Sequence, residues 1–217
     1  MRKTTINDLP VYQFHLLERF SDSVGHAVLS REGGVSKKPF DSLNVRYGIG
    51  DKLLNVKKNR ALVCKALGIE PQNLISAEQT HSKNVQVVDE EFLKNKTPGE
   101  CYGVDAFVSN VPGAALMIQV ADCQVQLMYD PKRQVVAAVH AGWKGLALNI
   151  SAETIKVMKS KSSQNRAAGL FGFFIVKLIP AFFQYWKKGL KEIHVRVLLP
   201  QSIQNRVIDS MCLNSFQ

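Results

Sequence analysis

Closely spaced cysteines are missing from this chain. The sequence has four cysteines, and none of them forms a CxxC pair: Cys64, Cys101, Cys123 and Cys212. A compact structural zinc motif needs pairs of neighbouring ligands, so that class of site is not predicted. The first twenty residues also lack the apolar core of a signal peptide. We therefore expect reduced thiols and a cytoplasmic location.

Long uninterrupted apolar runs are missing as well. A membrane-spanning helix needs about 20 consecutive, mostly apolar residues. The most apolar stretch, residues 164–189, holds seven aromatic residues and no acid, but Lys177 and Pro180 interrupt it. The sequence favours a buried or misplaced segment here, and membrane association of 164–189 is the weaker alternative.

Acidic residues are scarce near the C-terminal end. From Lys161 onward there are eight Lys/Arg and two acids, so 8 − 2 = +6 of the net charge of +10 lies there. The first 160 residues show no basic face interleaved with aromatics and no nucleic-acid-binding module, so no nucleic-acid partner is predicted.

The length fits one domain, and we predict a single domain over residues 1–217.

The stretch at residues 120–145 carries the clearest pattern. Two apolar runs, Gln124–Tyr129 and Val135–Val139, flank the turn sequence Asp-Pro-Lys-Arg. This arrangement predicts a β-hairpin. Cys123 would then lie at the start of the first strand, beside His140 at the end of the second.

A third residue, His81, lies 123 − 81 = 42 positions before the cysteine. Two imidazoles and a thiolate would leave a fourth position of a zinc ion open for water or substrate, as in catalytic zinc sites. Other readings stay open, because single cysteines and histidines often only pack. Cys123 and a histidine could instead form a nucleophile–base pair. Asp122 could orient a ligand or cap a turn.

The remaining segments give a mixed α/β pattern. Residues 52–68 predict an amphipathic helix with Asp51 as its N-cap and Gly68 at its end. The local pattern of apolar and polar residues also predicts strands within 11–30 and at 74–89, 104–123 and 192–198. It predicts loops at 30–51 and 90–103, and a helix at 146–160. The glycines of the 30–51 loop indicate either a plain turn or backbone amides that approach an anion.

These motifs resemble those of a known family. The sequences VDAFVSNVPGAALMIQVADC and VVAAVHAGWKG occur in succession, after SREGGVSKKPFDSLNV and a QTH at 79–81. Together they resemble the multicopper polyphenol oxidoreductase family, also called the laccase-domain or YfiH-like family. The resemblance covers about residues 20–160 in the family's order. Residues 161–217 diverge, which suggests an altered, truncated or mispredicted C-terminal part.

The resemblance implies a layered α/β sandwich with mixed β-sheets and a zinc-dependent purine nucleoside enzyme. Such enzymes are credited with phosphorolysis of adenosine, inosine and methylthioadenosine to the free base and (methylthio)ribose 1-phosphate, and with adenosine deamination. The family's metal ligands and catalytic residues carry over to His81, Cys123 and His140. Substrate-binding roles are implied by the resemblance for three further residues: Arg31, Asn44 and Lys144. Lys144 stands where the family usually has arginine, which keeps the charge but loses a bidentate clamp.

Several alternatives remain at the level of sequence. Copper could occupy the same three ligands, since Cu²⁺ outcompetes Zn²⁺ at nitrogen and sulfur donors, and the older family name implies a copper-linked polyphenol oxidase. A laccase with several coppers fits poorly, because the chain has five histidines in all. A Cys–His hydrolase and a degenerate, non-catalytic family member are the other two readings.

Overall fold

The computed structural model describes residues 2–96 and 101–161 in full, and beyond them the backbone of three strands. The fourteen strands in this part of the chain are β1 Arg2–Ile6, β2 Leu9–Gln13, β3 Val24–Leu29, β4 Leu74–Ile75, β5 Ala77–Glu78, β6 Val85–Val88, β7 Cys101–Tyr102, β8 Ala106–Ser109, β9 Ala114–Val120, β10 Gln124–Asp130, β11 Val135–Ala141, β12 Gly172–Leu178, β13 His194–Leu198 and β14 Ser210–Cys212. Within the described residues, the five α-helices are α1 His15–Glu18, α2 Leu53–Leu67, α3 Glu90–Asn95, α4 Trp143–Ala147 and α5 Ile150–Ser160.

Two six-stranded sheets form the centre of the structure. The first has the order β1-β2-β3-β12-β9-β4 and the second β14-β13-β10-β11-β8-β6. Both sheets mix orientations: β12 runs parallel to β3 and β9, whereas β10 and β11 form an antiparallel hairpin. A short parallel pair, β5 and β7, stands apart. The predicted layered α/β sandwich with mixed sheets is confirmed.

Successive side chains along a strand point to opposite faces of the sheet, and this alternation builds the layers. In β11, Val136 and Ala138 face the core between the sheets, and Val135, Ala137 and Val139 face the opposite side. Helix α5 covers that opposite side with Ile150 and Met158. Since both faces of the sheet are covered, every residue of β11 is buried. This explains why the strand appears as an unbroken apolar run in the sequence.

Helix α2 covers the outer face of the first sheet. Its residues Val63, Cys64 and Leu67 pack into the cluster that β9 lines with Met117, so Cys64 is a packing residue. The helix ends at Gly68, which has a φ of 66° and provides the left-handed cap. The predicted N-cap was wrong: Lys52 holds that position, with no side-chain cap.

Two segments differ from the sequence prediction. The 90–103 loop contains helix α3, whose N-cap Asp89 accepts a hydrogen bond from the Phe92 N–H, and strand β7. The predicted helix at 146–160 is interrupted at Asn149, which has a φ of 57°. This turn separates α4 from α5, and Ile150 at the start of α5 is fully buried. Helix α1 also interrupts the strands predicted at 11–30.

The apolar segment 164–189 falls largely outside the described residues. Its backbone at Gly172–Leu178 is strand β12, paired between β3 and β9 in the first sheet. Strand β13 confirms the alternation seen at 192–198. Within the described part of the chain, no helix has the length and apolar character needed to cross a membrane.

Candidate metal centre

The predicted hairpin brings Cys123 and His140 together. The register of β10 and β11 pairs Val125 with His140 and Gln124 with Ala141, so Cys123 lies next to the end of β11. His81 joins them from the loop after β5. His81 and His140 each offer one ring nitrogen, and Cys123 offers its sulfur. These three donor atoms all lie within 4.8 Å of one another.

The geometry around His81 is tight. Its Nε2 lies 3.4 Å from the Cys123 Sγ. Its ring meets the His140 ring edge-on, with the centroids 4.8 Å apart and the planes at 73°. His81 has a φ of 60°, the left-handed conformation that non-glycine residues seldom adopt. Strain of this kind at a side chain aimed into a cluster of donors is typical of a functional site.

A single carboxylate, that of Asp105, holds the His81 loop. The backbone N–H groups of Thr80, His81 and Ser82 donate to it at 3.2, 3.0 and 2.7 Å, and the Ser82 hydroxyl donates at 2.7 Å. Gln79 fixes the same loop to β9 through two hydrogen bonds with the backbone of Gln119, at 2.7 and 2.9 Å. The loop is therefore shaped before any ligand arrives.

The same carboxylate orients His140. Asp105 Oδ1 lies 2.7 Å from His140 Nδ1, and both side chains are buried. Burial alone would raise the pKa of Asp105, but hydrogen bonds from His140 and Ser82 lower that pKa to about 2. The carboxylate is thus charged and accepts the proton of Nδ1–H. The lone pair of His140 then lies on Nε2, the atom available to a metal.

The protonation states of the other two residues follow from burial. Burial is the largest cause that lowers the pKa of His81, so its ring is neutral and carries a free lone pair at neutral pH. Burial and the adjacent Asp122 raise the pKa of the Cys123 thiol to about 12. The Cys123 thiol donates to Asp122 Oδ1 at 3.5 Å. A nearby cation would be needed to hold Cys123 as a thiolate.

The donor set fits a borderline-soft divalent metal. Two imidazole nitrogens and one thiolate suit Zn²⁺ and Cu²⁺ alike. A tetrahedral zinc with such ligands separates a nitrogen from a sulfur by about 3.5 Å. The His81–Cys123 separation of 3.4 Å already has this length. Three converging protein donors leave one tetrahedral position for a substrate or water.

The three predicted substrate-binding residues occupy different settings. Arg31 forms an ion pair with the Asp41 carboxylate and donates from Nε to the Asp41 carbonyl at 2.7 Å. Asn44 is fully buried, and its side-chain amide hydrogen-bonds Arg46 and Asp51. Lys144 is exposed on α4. Their roles towards substrate stay predictions.

The glycines of the 30–51 loop have a packing explanation. A Cβ on Gly34 would lie 2.1 Å from the Ser42 carbonyl oxygen, and Gly33 has a φ of 85°. The amide of Gly34 donates to Ser42 Oγ, and the amide of Val35 donates to Asn59 Oδ1. Because these amides already form hydrogen bonds within the protein, the glycine pair forms a plain turn and does not present amides to an anion.

Two site residues were missed at the level of sequence. Asp105 is an isolated acid directly before the wholly buried strand β8, which was the available signal. A Cβ on Gly142 would lie 2.1 Å from the His81 Cδ2, so only glycine leaves room for that ring.

Comparison with known proteins agrees with these motifs. The sequence model of the family described as multi-copper polyphenol oxidoreductase laccase matches residues 25–175, which extends past the 20–160 predicted from the motifs. A purine nucleoside phosphorylase of Bacteroides thetaiotaomicron is 32% identical over 142 residues, which cover 64% of this chain and 53% of that protein. Purine nucleoside phosphorylase YlmD of Bacillus subtilis is 31% identical over 166 residues, which cover 75% and 59%.

A solved structure shares the fold. The crystal structure of the hypothetical protein YfiH from Bacillus licheniformis superposes with a TM-score of 0.53 at 31% identity, over 58% of this chain and 49% of that one. The chain spans about half the length of the curated relatives it matches, 53% and 59% for the two above.

Proposed function

The chain belongs to the multi-copper polyphenol oxidoreductase laccase family, and on that premise we propose that it is a zinc-dependent purine nucleoside phosphorylase. The observation that carries the proposal is the convergence of His81, Cys123 and His140, whose donor atoms lie within 4.8 Å of one another. The names of the relatives supply the substrate class, since proteins that match this chain are named purine nucleoside phosphorylases.

Zinc would supply a Lewis acid that binds an oxygen or nitrogen of the reactants and lowers the pKa of a bound water. The chain's own residues prepare the site for it. Asp105 holds His140 with Nε2 free, and it fixes the backbone that carries His81. Gly142 leaves space for the His81 ring. These contacts hold the donors in place before binding, which lowers the reorganisation that each turnover requires.

The proposed reaction is phosphorolysis of adenosine, inosine or methylthioadenosine. A phosphate oxygen attacks the anomeric carbon as the bond to the purine nitrogen breaks, and the purine takes up a proton. The products are the free base and ribose 1-phosphate, or its methylthio form. Deamination of adenosine belongs to the same proposal: water adds at C6 and ammonia leaves. The proposal also includes a single domain over residues 1–217 and a cytoplasmic location.

A second candidate rests on the Cys123–His81 contact of 3.4 Å, which is the separation of a nucleophile–base pair. It predicts hydrolysis of amides without a metal. The neutral state of the thiol, whose pKa is raised to about 12, argues against it in the metal-free protein. A copper-linked oxidase would use the same three donors, and the identity of the bound metal would distinguish it from the proposed zinc enzyme.

The test is a product assay on the purified full chain with adenosine, with and without inorganic phosphate. Phosphorolysis yields adenine and ribose 1-phosphate only when phosphate is present. Deamination yields inosine in both cases, and phosphate then converts part of that inosine to hypoxanthine. Cys64→Ala serves as a matched thiol control, because Cys64 packs in α2 outside the candidate metal cluster. Both products are expected from the parent chain and from Cys64→Ala. Absence of both from zinc-loaded protein would contradict the proposed function.

A further inference from the structure

Helix α2 exposes aliphatic side chains on the side turned away from the sheet. Leu53 and Leu54 are 59% and 61% exposed, and Leu62 is 37% exposed further along the helix. The opposite side of the helix packs into the core. Side chains this open to water gain little from the hydrophobic effect. Clustered apolar exposure of this kind is typical of a surface that contacts another molecule.

The exposed positions around these leucines are basic. Lys57, Lys58 and Lys65 are exposed on the helix, and Lys52 is exposed directly before it. The sequence has no acid between Lys52 and Gly68. Exposed leucines and lysines therefore share the outer side of α2, a pattern typical of a helix that lies on a charged interface.

The loop before the helix extends this surface. Asn59 of α2 accepts a hydrogen bond from the Val35 N–H at 2.8 Å and donates to the Ser36 hydroxyl at 2.9 Å. Val35 is itself 43% exposed, and Lys37 and Lys38 follow it as exposed residues. The six exposed lysines and the four exposed aliphatic side chains named so far form one surface, here called the α2 face.

The positive charge of the first 160 residues is concentrated around the α2 face. Residues 31–70 contain nine Lys/Arg and four acids, a net charge of +5, whereas the other 120 residues of this part contain eleven Lys/Arg and twelve acids. Two of the four acids have partners within the protein. Asp41 pairs with Arg31, and the Asp51 carboxylate accepts a hydrogen bond from the Ser36 hydroxyl. The α2 face is therefore electropositive in a region that is otherwise nearly neutral.

The spread of the lysines requires an extended anionic partner. Lys52 and Lys65 are 65 − 52 = 13 residues apart, about 20 Å along a helix, so one small anion does not reach both. A nucleic acid would meet the lysines and leave the leucines in water. Within the fully described range 2–96, the α2 face also has no exposed aromatic residue or arginine on which bases could stack. A lipid surface matches both parts, because its headgroups carry the charge and its acyl chains accept the leucines.

We propose that the α2 face docks the protein on the surface of a bilayer rich in anionic lipids. The leucines enter the boundary between headgroups and acyl chains, and the lysines pair with headgroup phosphates. Each lysine near such a surface strengthens binding by about fivefold. The docking is peripheral, since no helix in the described residues has the length and apolar character to cross a bilayer. It does not depend on the proposed phosphorolysis.

The experiment is sedimentation of the purified full chain with two kinds of vesicle, one of phosphatidylcholine alone and one of equal parts phosphatidylcholine and phosphatidylglycerol. Binding to the anionic vesicles is expected to be tighter by about tenfold or more and to weaken in high salt. The double variant Lys57→Gln/Lys58→Gln should bind them about 10- to 30-fold more weakly than the parent. Its matched control, Lys156→Gln/Lys159→Gln, removes the same charge from exposed positions of α5 and should change binding less than about threefold.

A second pair of variants tests the leucines. Leu53→Ser/Leu54→Ser should weaken binding to the anionic vesicles by about tenfold, because two side chains no longer enter the bilayer. The matched control Leu146→Ser/Leu148→Ser changes leucines that are 47% and 43% exposed outside the α2 face, and it should bind like the parent. All the substituted positions are exposed, so the variants should keep the fold, which far-UV circular dichroism checks.

Weaker binding by both α2 variants, with both controls like the parent, supports the inference. It is overturned if the parent does not bind anionic vesicles. Equal binding by the parent and both α2 variants also overturns it, because vesicle binding then lies elsewhere in the chain. Loss in the lysine variant alone overturns the bilayer assignment in favour of a soluble polyanion such as a nucleic acid or an acidic protein. Loss in the leucine variant alone overturns the part given to charge.

Discussion

The carboxylate of Asp105 lies 2.7 Å from His140 Nδ1 and at the same time accepts the backbone N–H of His81 at 3.0 Å. One buried side chain therefore orients one candidate metal donor and fixes the loop of another. The remaining donor, Cys123, lies directly before β10 of the hairpin whose other strand carries His140. The Asp105 hydrogen bonds and the β10–β11 hairpin therefore build the site together, and His140 belongs to both.

Replacing Asp105 by Asn should weaken zinc binding by about 10- to 100-fold, the usual effect of losing the partner of a metal-binding histidine. The amide keeps the shape but cannot accept all the donors that the carboxylate accepts. Competition with a chromophoric chelator measures the affinity. Asp130→Asn is the matched control, because that carboxylate accepts hydrogen bonds from Lys132 and Arg133 in the hairpin turn. Equal zinc affinity in Asp105→Asn and the parent chain would contradict the role given to Asp105.

Replacing Gly142 by Ala should displace His81, because the new Cβ would lie 2.1 Å from its Cδ2 and 2.9 Å from its Nε2. Zinc affinity is expected to fall by at least tenfold, measured by the same competition. Gly48→Ala provides the comparison: Gly48 has a φ of 73° and open space around it, so that variant tests backbone strain without touching His81. A Gly142→Ala protein that binds zinc like Gly48→Ala would count against the close contact.

The strain at His81 predicts a difference between two variants that both lack the ligand. With a φ of 60°, the position favours glycine, so metal-free His81→Gly should be more stable than metal-free His81→Ala by about 1 kcal/mol. Urea unfolding in the presence of a chelator measures the difference. Equal stability of the pair would show that the left-handed backbone at this position is unstrained.

His26 predicts an acid-sensitive part of the fold. Burial lowers the pKa of His26 from 6.5 to about 4, while its Nε2 accepts the Phe14 N–H at 2.7 Å. The unfolded chain protonates first, so the stabilisation is complete above pH 6.5 and is lost as the pH falls from 6.5 towards 4. The shift corresponds to about 3 kcal/mol.

The variant His26→Gln keeps an acceptor for the Phe14 N–H but does not titrate. Urea unfolding of both metal-free proteins at several pH values should therefore show a shallower decline for His26→Gln between pH 6.5 and 4. Identical pH profiles for the two proteins would mean that His26 is not the buried, neutral histidine described above.

The sequence predicted much of the fold because several signals were local. The paired apolar runs around the turn at Asp130 predicted the hairpin. Helix α2 could be predicted because its apolar residues recur at helical spacing and Gly68 marks its end. The chemistry of the donor set could also be predicted, since it follows from residue types alone. His81 was a candidate donor from its residue type, and the family motifs linked it to Cys123, which no spacing rule could have done.

The missed features depend on contacts between distant segments. Asp105 meets His81 and His140 only after β8 is placed beside β11. Asn149 breaks the predicted 146–160 helix because Ile150 packs against the sheet, a tertiary effect that local propensity does not contain. Asp51 was predicted as a helix cap from its position. Its carboxylate instead accepts hydrogen bonds from Ser36 and Asn44, across the loop.

The central claim is that His81, Cys123 and His140 hold one catalytic zinc. Its most direct test is to measure metal content and nucleoside phosphorolysis together in the parent chain and in Cys123→Ala. The account predicts one zinc per parent chain, loss of turnover on chelation, recovery when zinc is added back, and neither bound zinc nor turnover in Cys123→Ala. Phosphorolysis that persists in the chelator-treated parent or in Cys123→Ala would contradict it.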